Sequence, residues 1–456
     1  MRVETIYLKE TGPFAELRLD FQPKLAKNKA DVHILVGQNG TGKSTILTAI
    51  AALFQPWQAQ MDLGKRLLTT NSWVEGKISG VQIGLGWKAK RQDIEQSRVT
   101  PEIKLKHVGS VHSNAPTAWV NPAYYKTPLQ TYQNAVQHLQ TGASNNLNIE
   151  DFTFAAFAYS GYRSIAYTKL KAIEEVQGKT LEDALSFHKN TQAHYEKLIK
   201  WLALTKSKAA LAAYRNDQEA AKRREGSITR IENLIKQIID KPIAFEITDE
   251  PLAVNLRIDG RVSDFDVLPD GLKSILGWIT DLMMRMELIP WENQLPIFER
   301  QFLLLLDEIE VHLHPAWQRK ILPVLQNLFP HAQIILSTHS PFVVGSVSDA
   351  WVYPLRLDNA GNAVLDTPIK SKAGVSYPAI VEEVFGIDEE FDDVTESQLD
   401  VFEEKKKAYL QGQLSLDALQ AFAASIAQGS VEVSNIVSRE IRQAERLRKQ
   451  QGIPAA

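Results

Sequence analysis

Apolar and polar residues alternate at the start of the chain, as in Val3, Ile6 and Leu8 and then Leu17, Leu19 and Phe21, which predicts half-buried strands. The pattern then changes. DVHILV at 31–36 is a short apolar run that stops at Gly37, and STILTAIAAL at 44–53 carries apolar residues at helical spacing. That order predicts a strand, a loop and a helix. From 57 to 123 the pieces VQIGLGW (81–87) and IKLKHV (103–108), set between Gly and Asn turns, predict antiparallel hairpins, with helix returning afterwards. Residues 181–240 are rich in Ala, Lys, Glu, Gln and Leu and lack Pro; they predict two helices broken at Lys206 and Ser207 or at Gly226. At about 30 residues each, such helices reach about 45 Å. Strand patterning returns at 243–258, a helix is expected from Gly271 to near Met286, and the apolar runs FLLLL (302–306) and QIIL (333–336) complete the core. Beyond Val344 come short strand-like pieces (350–353 and 363–365) and then charged, mostly helical sequence, with no internal repeat.

This organisation divides the chain into 1–180, the first half of an α/β head with a β lobe; 181–241, an inserted helical arm; 242–348, the second half of the head; and 349–456, a mostly helical region for assembly or partner docking. A chain of 456 residues is long enough for two or three structural units. Lys and Arg total 51 against 54 Asp and Glu, so the net charge of -3 gives no global reason for nucleic-acid binding. A local patch is another matter: Lys222, Arg223 and Arg224 on the predicted arm read either as a solvated face or as a contact for nucleic acid or a protein. The absence of cysteine excludes disulfides, Cys-ligated zinc and thiol chemistry. The charged N-terminus and the lack of any run of about 18 apolar residues predict a soluble, cytoplasmic protein without membrane attachment.

The chemistry begins with GQNGTGKS at 37–44, which has the GxxxxGK[ST] spacing and the strand and helix that this spacing requires. Gly37, Gln38, Asn39, Gly40, Thr41, Gly42, Lys43, Ser44 and Thr45 are the candidate nucleotide contacts. Glycines let backbone N–H groups curl around phosphate, Lys43 meets the β- and γ-phosphates, and Ser44 is a ligand for Mg²⁺. FLLLL at 302–306 then delivers Asp307 and Glu308 to the end of a buried strand, where open α/β sheets place ligand chemistry. Asp307 is the second candidate Mg²⁺ ligand and Glu308 the residue that polarises the attacking water. QIILSTH at 333–339 delivers His339 in the same way, suited to contact the γ-phosphate. His312 and His314, beside Glu308 and Glu310, are weak grounds for zinc without cysteines, and Pro315 is placed to start a helix.

GQNGTGKS, LLLLDEIEVHLHP (303–315) and ILSTHSP (335–341) together resemble the ABC-type ATPase heads of the structural-maintenance and overcoming-lysogenization-defect group, over most of the chain. The helical insertion and tail match only in general character. The resemblance implies an α/β fold: an ABC-type P-loop ATPase head with an antiparallel β lobe, an inserted helical arm and a mostly helical C-terminal region. In that family two heads sandwich ATP, each supplying a Leu-Ser-x-Gly signature to the other's nucleotide. Here Leu268, Pro269, Asp270 and Gly271 match in position and glycine, making Gly271 a nucleotide contact by analogy. Pro269, however, stands where a serine is expected and offers neither hydroxyl nor N–H, which weakens capping and implies slow or conditional turnover. YSGYR at 159–163 resembles the segment these ATPases set near the nucleotide, so Arg163 is a further candidate.

Stand-alone bacterial anti-phage ATPases are the nearest in kind, namely the Septu type, which works with an HNH nuclease, and the PARIS type, which works with a TOPRIM nuclease. Overcoming-lysogenization-defect proteins carry their TOPRIM domain after the head; here only residues 340–456 follow His339, and the acidic stretch at 388–393 lies in loop-like sequence. If chemistry on nucleic acid is the output, a second protein is expected to perform it. The resulting expectation is an ATP- and Mg²⁺-dependent ATPase, at least a head-to-head homodimer, that scaffolds or regulates an effector nuclease in trans and answers to a nucleic-acid or phage component. The rival is a DNA-repair or recombination ATPase that clamps DNA with its basic arm. A transporter subunit fits poorly with the arm and the altered signature.

Overall fold

The computed structural model describes residues 1–56, 62–67, 69, 71–86, 96–108, 117–125, 127–141, 152–161, 172–174, 181, 183–187, 191–249, 252–292, 295–387 and 391–450. These fall into two compact units, Met1–Ile380 and Val381–Ala456.

Apolar runs with both faces covered make central strands. β3 (Asp31–Gly37) is buried at every position, as are β8 (Ala155–Tyr159), β12 (Phe302–Leu306) and β13 (Gln333–Ser337). With β14 (Ala350–Leu357), β15 (Ala363–Leu365) and β16 (Ile369–Lys370) they form a sheet ordered β15-β14-β3-β13-β12-β8, with β16 paired to β14. The pairs β14/β3, β3/β13, β13/β12 and β12/β8 are parallel. All of these strands therefore end at one edge. β14 lies within this sheet, in register with β3 from Ala350 opposite Val32 to Leu355 opposite Gly37. The sequence division at 348 and 349 is accordingly displaced, because strand patterning alone does not show which sheet a strand joins.

A second, antiparallel sheet is ordered β2-β1-β4-β5-β7-β6, from β1 (Val3–Thr11), β2 (Phe14–Asp20), β4 (Trp73–Ile78), β5 (Val81–Gly86), β6 (Lys106–Val108) and β7 (Thr117–Val120). Helix α1 (Lys43–Phe54) packs against strands of both sheets, and Gly76 of β4 leaves room for Leu53. Contact on both sides explains why α1 is buried all round and apolar from Ala49 to Phe54: every residue except Ser44 is buried. Helix α2 (Pro128–Thr141) follows β7 in the chain.

Between β8 and β12 lie helices α3 (Thr191–Tyr214) and α4 (Gln218–Ile239), a three-stranded sheet of β9 (Ile243–Asp249), β10 (Leu252–Ile258) and β11 (Arg261–Ser263), and helix α5 (Asp270–Leu288). The helical hairpin turns at 215–217, not at Lys206 and Ser207 or Gly226, all of which are helical. Asn216 adopts φ 61, and Asp217 caps α4 by accepting from Ala220 N. Asn tolerates that left-handed position and Asp suits the cap, whereas a single Gly inside a helix only weakens it. With 24 and 22 residues the helices reach about 36 and 33 Å, shorter than expected. α4 packs on α5, on β9 and on helix α6 (Pro315–Leu328), burying Ile228, Ile231, Leu234, Ile235 and Ile238, so the base of the hairpin belongs to the head. Pro315 opens α6 at its first position, as its sequence context predicts.

After α7 (Pro341–Val344) and α8 (Tyr377–Phe385), the second unit comprises α9 (Asp393–Leu410), α10 (Leu416–Ile426) and α11 (Val431–Gln450), packed around Phe402, Tyr409, Leu419, Val433 and Val437. Of the acidic stretch at 388–393, residues 388–390 lie outside the described residues, and Asp392 caps α9 by accepting from Val394 N and Thr395 N. No helix among the described residues is long and apolar enough to cross a membrane.

Candidate nucleotide site

The shared strand edge gathers four segments that are far apart in sequence: the loop after β3, Tyr159 to Gly161 after β8, Asp307 to Glu310 after β12, and Thr338 and His339 after β13. In the first, Gly42 caps α1 at φ 87, a left-handed position, and a Cβ there would stand 2.5 Å from the Phe14 ring. Only glycine fits. Gln38, Asn39 and Gly40 are exposed, presenting the loop to solvent. Thr41 and Thr45 are turned inward: Thr41 Oγ1 donates to Gln38 O (2.8 Å), and Thr45 packs against Gly12. Their side chains are thus structural, leaving only backbone groups for a ligand.

Lys43 Nζ donates to Gly37 O (2.8 Å) and Gln38 O (2.9 Å), folding the ammonium over the loop. Burial pushes its pKa below the ordinary lysine value, while Asp307, Glu308 and Glu310 pull it back up.

The carboxylates are fixed by neighbours that the sequence motifs do not reveal. Asp307 N donates to Tyr159 O (2.8 Å), continuing the strand ladder past Leu306. Ser337 Oγ donates to Asp307 Oδ1 (2.5 Å) and accepts from Glu308 N (2.8 Å). One hydroxyl therefore sets both acidic residues. Glu308 sits at φ 48, a left-handed conformation that is costly for a residue with a side chain. Gly161 packs directly on it: a Cβ at 161 would lie 2.9 Å from Glu308 Oε2 and 3.0 Å from Glu308 Cβ. Glu310 accepts from Thr338 Oγ1 (2.7 Å) and from His339 N (2.5 Å), anchoring the histidine segment. Burial and then the Lys43 ammonium push the His339 pKa below the usual histidine value, with Glu308 and Asp307 opposing. The structure thus brings Lys43, Asp307, Glu308 and His339 within electrostatic reach of one another.

A further cation joins this group. Arg66 Nη1 donates to Thr48 Oγ1 (2.8 Å) and Asp62 O (2.9 Å), and Thr48 in turn bonds Ser44 O (2.6 Å). Burial lowers the Arg66 pKa, opposed by Asp307 and Asp62. No motif marks Arg66, because its distance along the chain from the phosphate loop carries no fixed chemistry.

Gly271 stands apart from this cluster in its packing. Pro269 caps α5 without a side-chain hydrogen bond, and a Cβ on Gly271 would lie 2.4 Å from His312 O and 3.4 Å from Trp317. The start of α5 therefore rests on the turn that follows the acidic pair. Deeper along the same helix, Tyr159 Oη donates to Asp281 Oδ2 (2.8 Å), Arg285 Nε donates to the same oxygen (2.8 Å), and Arg285 Nη2 donates to Asp183 Oδ1 (2.9 Å). Helix α5 is tied by this buried network to the strand end that carries Gly161. Arg163 lies outside the described residues. His314 caps α6, its Nδ1 accepting from Ala316 N (3.2 Å), and among the described residues no group of three or more His, Cys, Asp or Glu is gathered to hold a metal.

A family model described as "AAA domain, putative AbiEii toxin, Type IV TA system" matches residues 161–345, and one described as "AAA domain" matches residues 1–64. The "Septu protein PtuA" of Bacillus mycoides is 25% identical over 86% of this chain, which spans 46% of that protein. The "Retron Ec83 probable ATPase" of Escherichia coli is 24% identical over 78% of this chain and 72% of its own length. Among solved structures, the SMC head domain from Thermotoga maritima aligns with 81% of this chain and 100% of its own, at 15% identity and a TM-score of 0.40. The relatives agree with the resemblance read from the motifs, the Septu type among them. The phosphate loop, the carboxylate-ended parallel sheet and the two AAA-domain matches together mark a P-loop nucleotide-binding head, and the chain is similar in sequence to the Septu and retron proteins over most of its length.

Proposed function

We propose that this chain is an ATPase and the nucleotide-dependent subunit of a cytoplasmic anti-phage defence complex, in which it assembles head to head with a second copy and scaffolds or regulates a separate effector nuclease. The observation that carries the catalytic part is the single Ser337 hydroxyl joining Asp307 to the backbone of Glu308, beside Gly161. It sets one carboxylate for a metal and the other for water.

Backbone N–H groups at 37–45 receive the phosphates, and Lys43 meets the β- and γ-phosphates. Ser44 and Asp307 supply the hard oxygen donors that suit Mg²⁺, which characteristically takes one or two protein oxygens together with substrate phosphates. The ion, when bound, neutralises phosphate charge. Glu308 orients and polarises the attacking water, and His339, its neutral form favoured by burial, donates a hydrogen bond toward the γ-phosphate. Gly271 is itself buried against the turn after the acidic pair, so the surface offered to the second copy's nucleotide is the start of α5 at the exposed Pro269 and Asp270. Pro269 contributes no donor there, so capping relies on the N-terminal N–H groups of α5 and turnover is slow or conditional.

The similarity to Septu and retron proteins supports the defence role. Its test is to express the chain with its native neighbouring genes, purify through a tag on this subunit, and weigh the complex by native mass spectrometry with and without ATP. A homo-oligomer carrying a nuclease subunit is expected. A lone chain that dimerises with ATP and carries no second protein would contradict the scaffold role and favour a repair-type clamp.

A further inference from the structure

Among surfaces that the ATPase chemistry leaves unused, the tip of the α3–α4 hairpin has the most distinctive chemistry. Between positions 210 and 219 the side chains are exposed or half-exposed except at Ala212. Tyr214 is 86% exposed and Leu211 48%. Five cations occupy this end of the hairpin, Lys208, Arg215, Lys222, Arg223 and Arg224, against three carboxylates, one of which, Asp217, is committed to capping α4. Arg224 Nη1 donates to Lys208 O (2.7 Å), which ties the two helices together and sets their cations level with each other. Arg215, Lys222 and Arg223 are exposed. This positive excess sits in a chain whose overall charge is -3, so it is a local feature and not a background.

The combination selects its partner. Exposed cations gain by releasing counterions from a phosphate backbone. An aromatic ring standing in solvent beside them gains by stacking on a base, which an unpaired strand offers and a duplex hides. A protein interface needs about 800 Å² from each side and a core depleted in charge, and two apolar side chains interleaved with cations do not supply that. We propose that the hairpin tip is a docking site for single-stranded nucleic acid, with Tyr214 stacking on a base and Arg215, Lys222 and Arg223 meeting phosphates. This site is independent of the nucleotide cluster, so it stands or falls separately from the roles of Lys43 and Glu308.

The test uses the full chain and fluorescence anisotropy with labelled mixed-sequence oligomers of about 20 nucleotides, as single-stranded DNA, single-stranded RNA and duplex, across a salt series spanning about 50 to 200 mM. Both single strands should bind more tightly than the duplex. The double variant Lys222→Gln, Arg223→Gln should lower the slope of log affinity against log salt by about 1.4, two contacts at about 0.7 each. Tyr214→Ala should weaken single-strand binding about tenfold without changing that slope, and Tyr214→Trp should restore it. ATP hydrolysis should be unchanged in every variant, which separates loss of the tip from loss of the fold. Absence of binding at the lowest salt, preference for duplex, or slopes equal in wild type and double variant would overturn the proposal. A change of oligomeric mass on Tyr214→Ala, with oligomer affinity unaltered, would also overturn it and assign the tip to contact between copies.

Discussion

Glu308 is held from three directions: by its left-handed backbone, by the hydrogen bond from its N–H to Ser337, and by the bare flank of Gly161. Gly161→Ala would place a methyl group inside contact distance of the carboxylate and push it from its set position. Because the phosphate loop is untouched, kcat should fall about tenfold or more while ATP affinity stays within about twofold, a split that steady-state hydrolysis and equilibrium titration resolve. Acidic pair, phosphate loop and His339 were legible in the sequence because fixed spacing encodes each of them. Gly161, Ser337, Glu310 and Arg66 were not, since their roles come from neighbours brought in by the fold. His33 makes the same point in the core. It is fully buried, with Nδ1 3.0 Å from Tyr353 Oη and Nε2 3.2 Å from Asp31 Oδ1, and burial lowers its pKa below the ordinary 6.5 despite Asp31. Below pH 6.5 the unfolded chain takes a proton that the folded chain refuses. The stability contributed by neutral His33 is therefore full above that pH and is lost as pH falls toward the folded value. Thermal unfolding followed from about pH 7.5 to 5.5 should show a declining midpoint, and His33→Gln should flatten the decline. An unchanged slope in the variant would remove His33 as its source.

Elements were legible where periodicity and local chemistry agreed. The apolar run, glycine loop and helix at 31–54 folded as read, and the helix at Pro315 began where its proline placed it. The hairpin breaks at Asn216 and Asp217 and not at Gly226, because an Asn that tolerates left-handed backbone followed by a capping Asp is a stronger stop than a single Gly inside a helix. β14 belongs to the parallel sheet and not to the tail, and its pairing of 350–355 with 32–37 leaves no trace in local pattern. Helix α5 shows what holds elements together at the site. Its Asp281 and Arg285 are buried, and they bind Tyr159 and Asp183. Arg285→Met would leave Asp281 buried without its charge partner and should cost about 3–5 kcal/mol, whereas Tyr159→Phe, which removes one hydrogen bond and leaves the ion pair, should cost about 1 kcal/mol. Urea unfolding of the two variants distinguishes them. Equal losses would mean that the ion pair contributes no more than the phenol.

Across the whole chain, two sheets with an almost wholly buried helix between them frame the edge at which four distant segments meet. The order of phosphate loop, acidic pair and histidine in the sequence anticipated that edge, because parallel strands joined by crossovers must all end on the same side. The second unit, Val381–Ala456, has its own core around Phe402 and Leu419, and the sequence showed its helices without showing where the head stops. The reading of the molecule as a hydrolytic head rests on Glu308 acting on water while Lys43 and the loop bind nucleotide. The most direct test is Glu308→Gln, with ATP affinity and single-turnover hydrolysis measured on the same preparation. The expected result is affinity within a few fold of wild type and hydrolysis reduced by about 100-fold or more. Hydrolysis at the wild-type rate would contradict it.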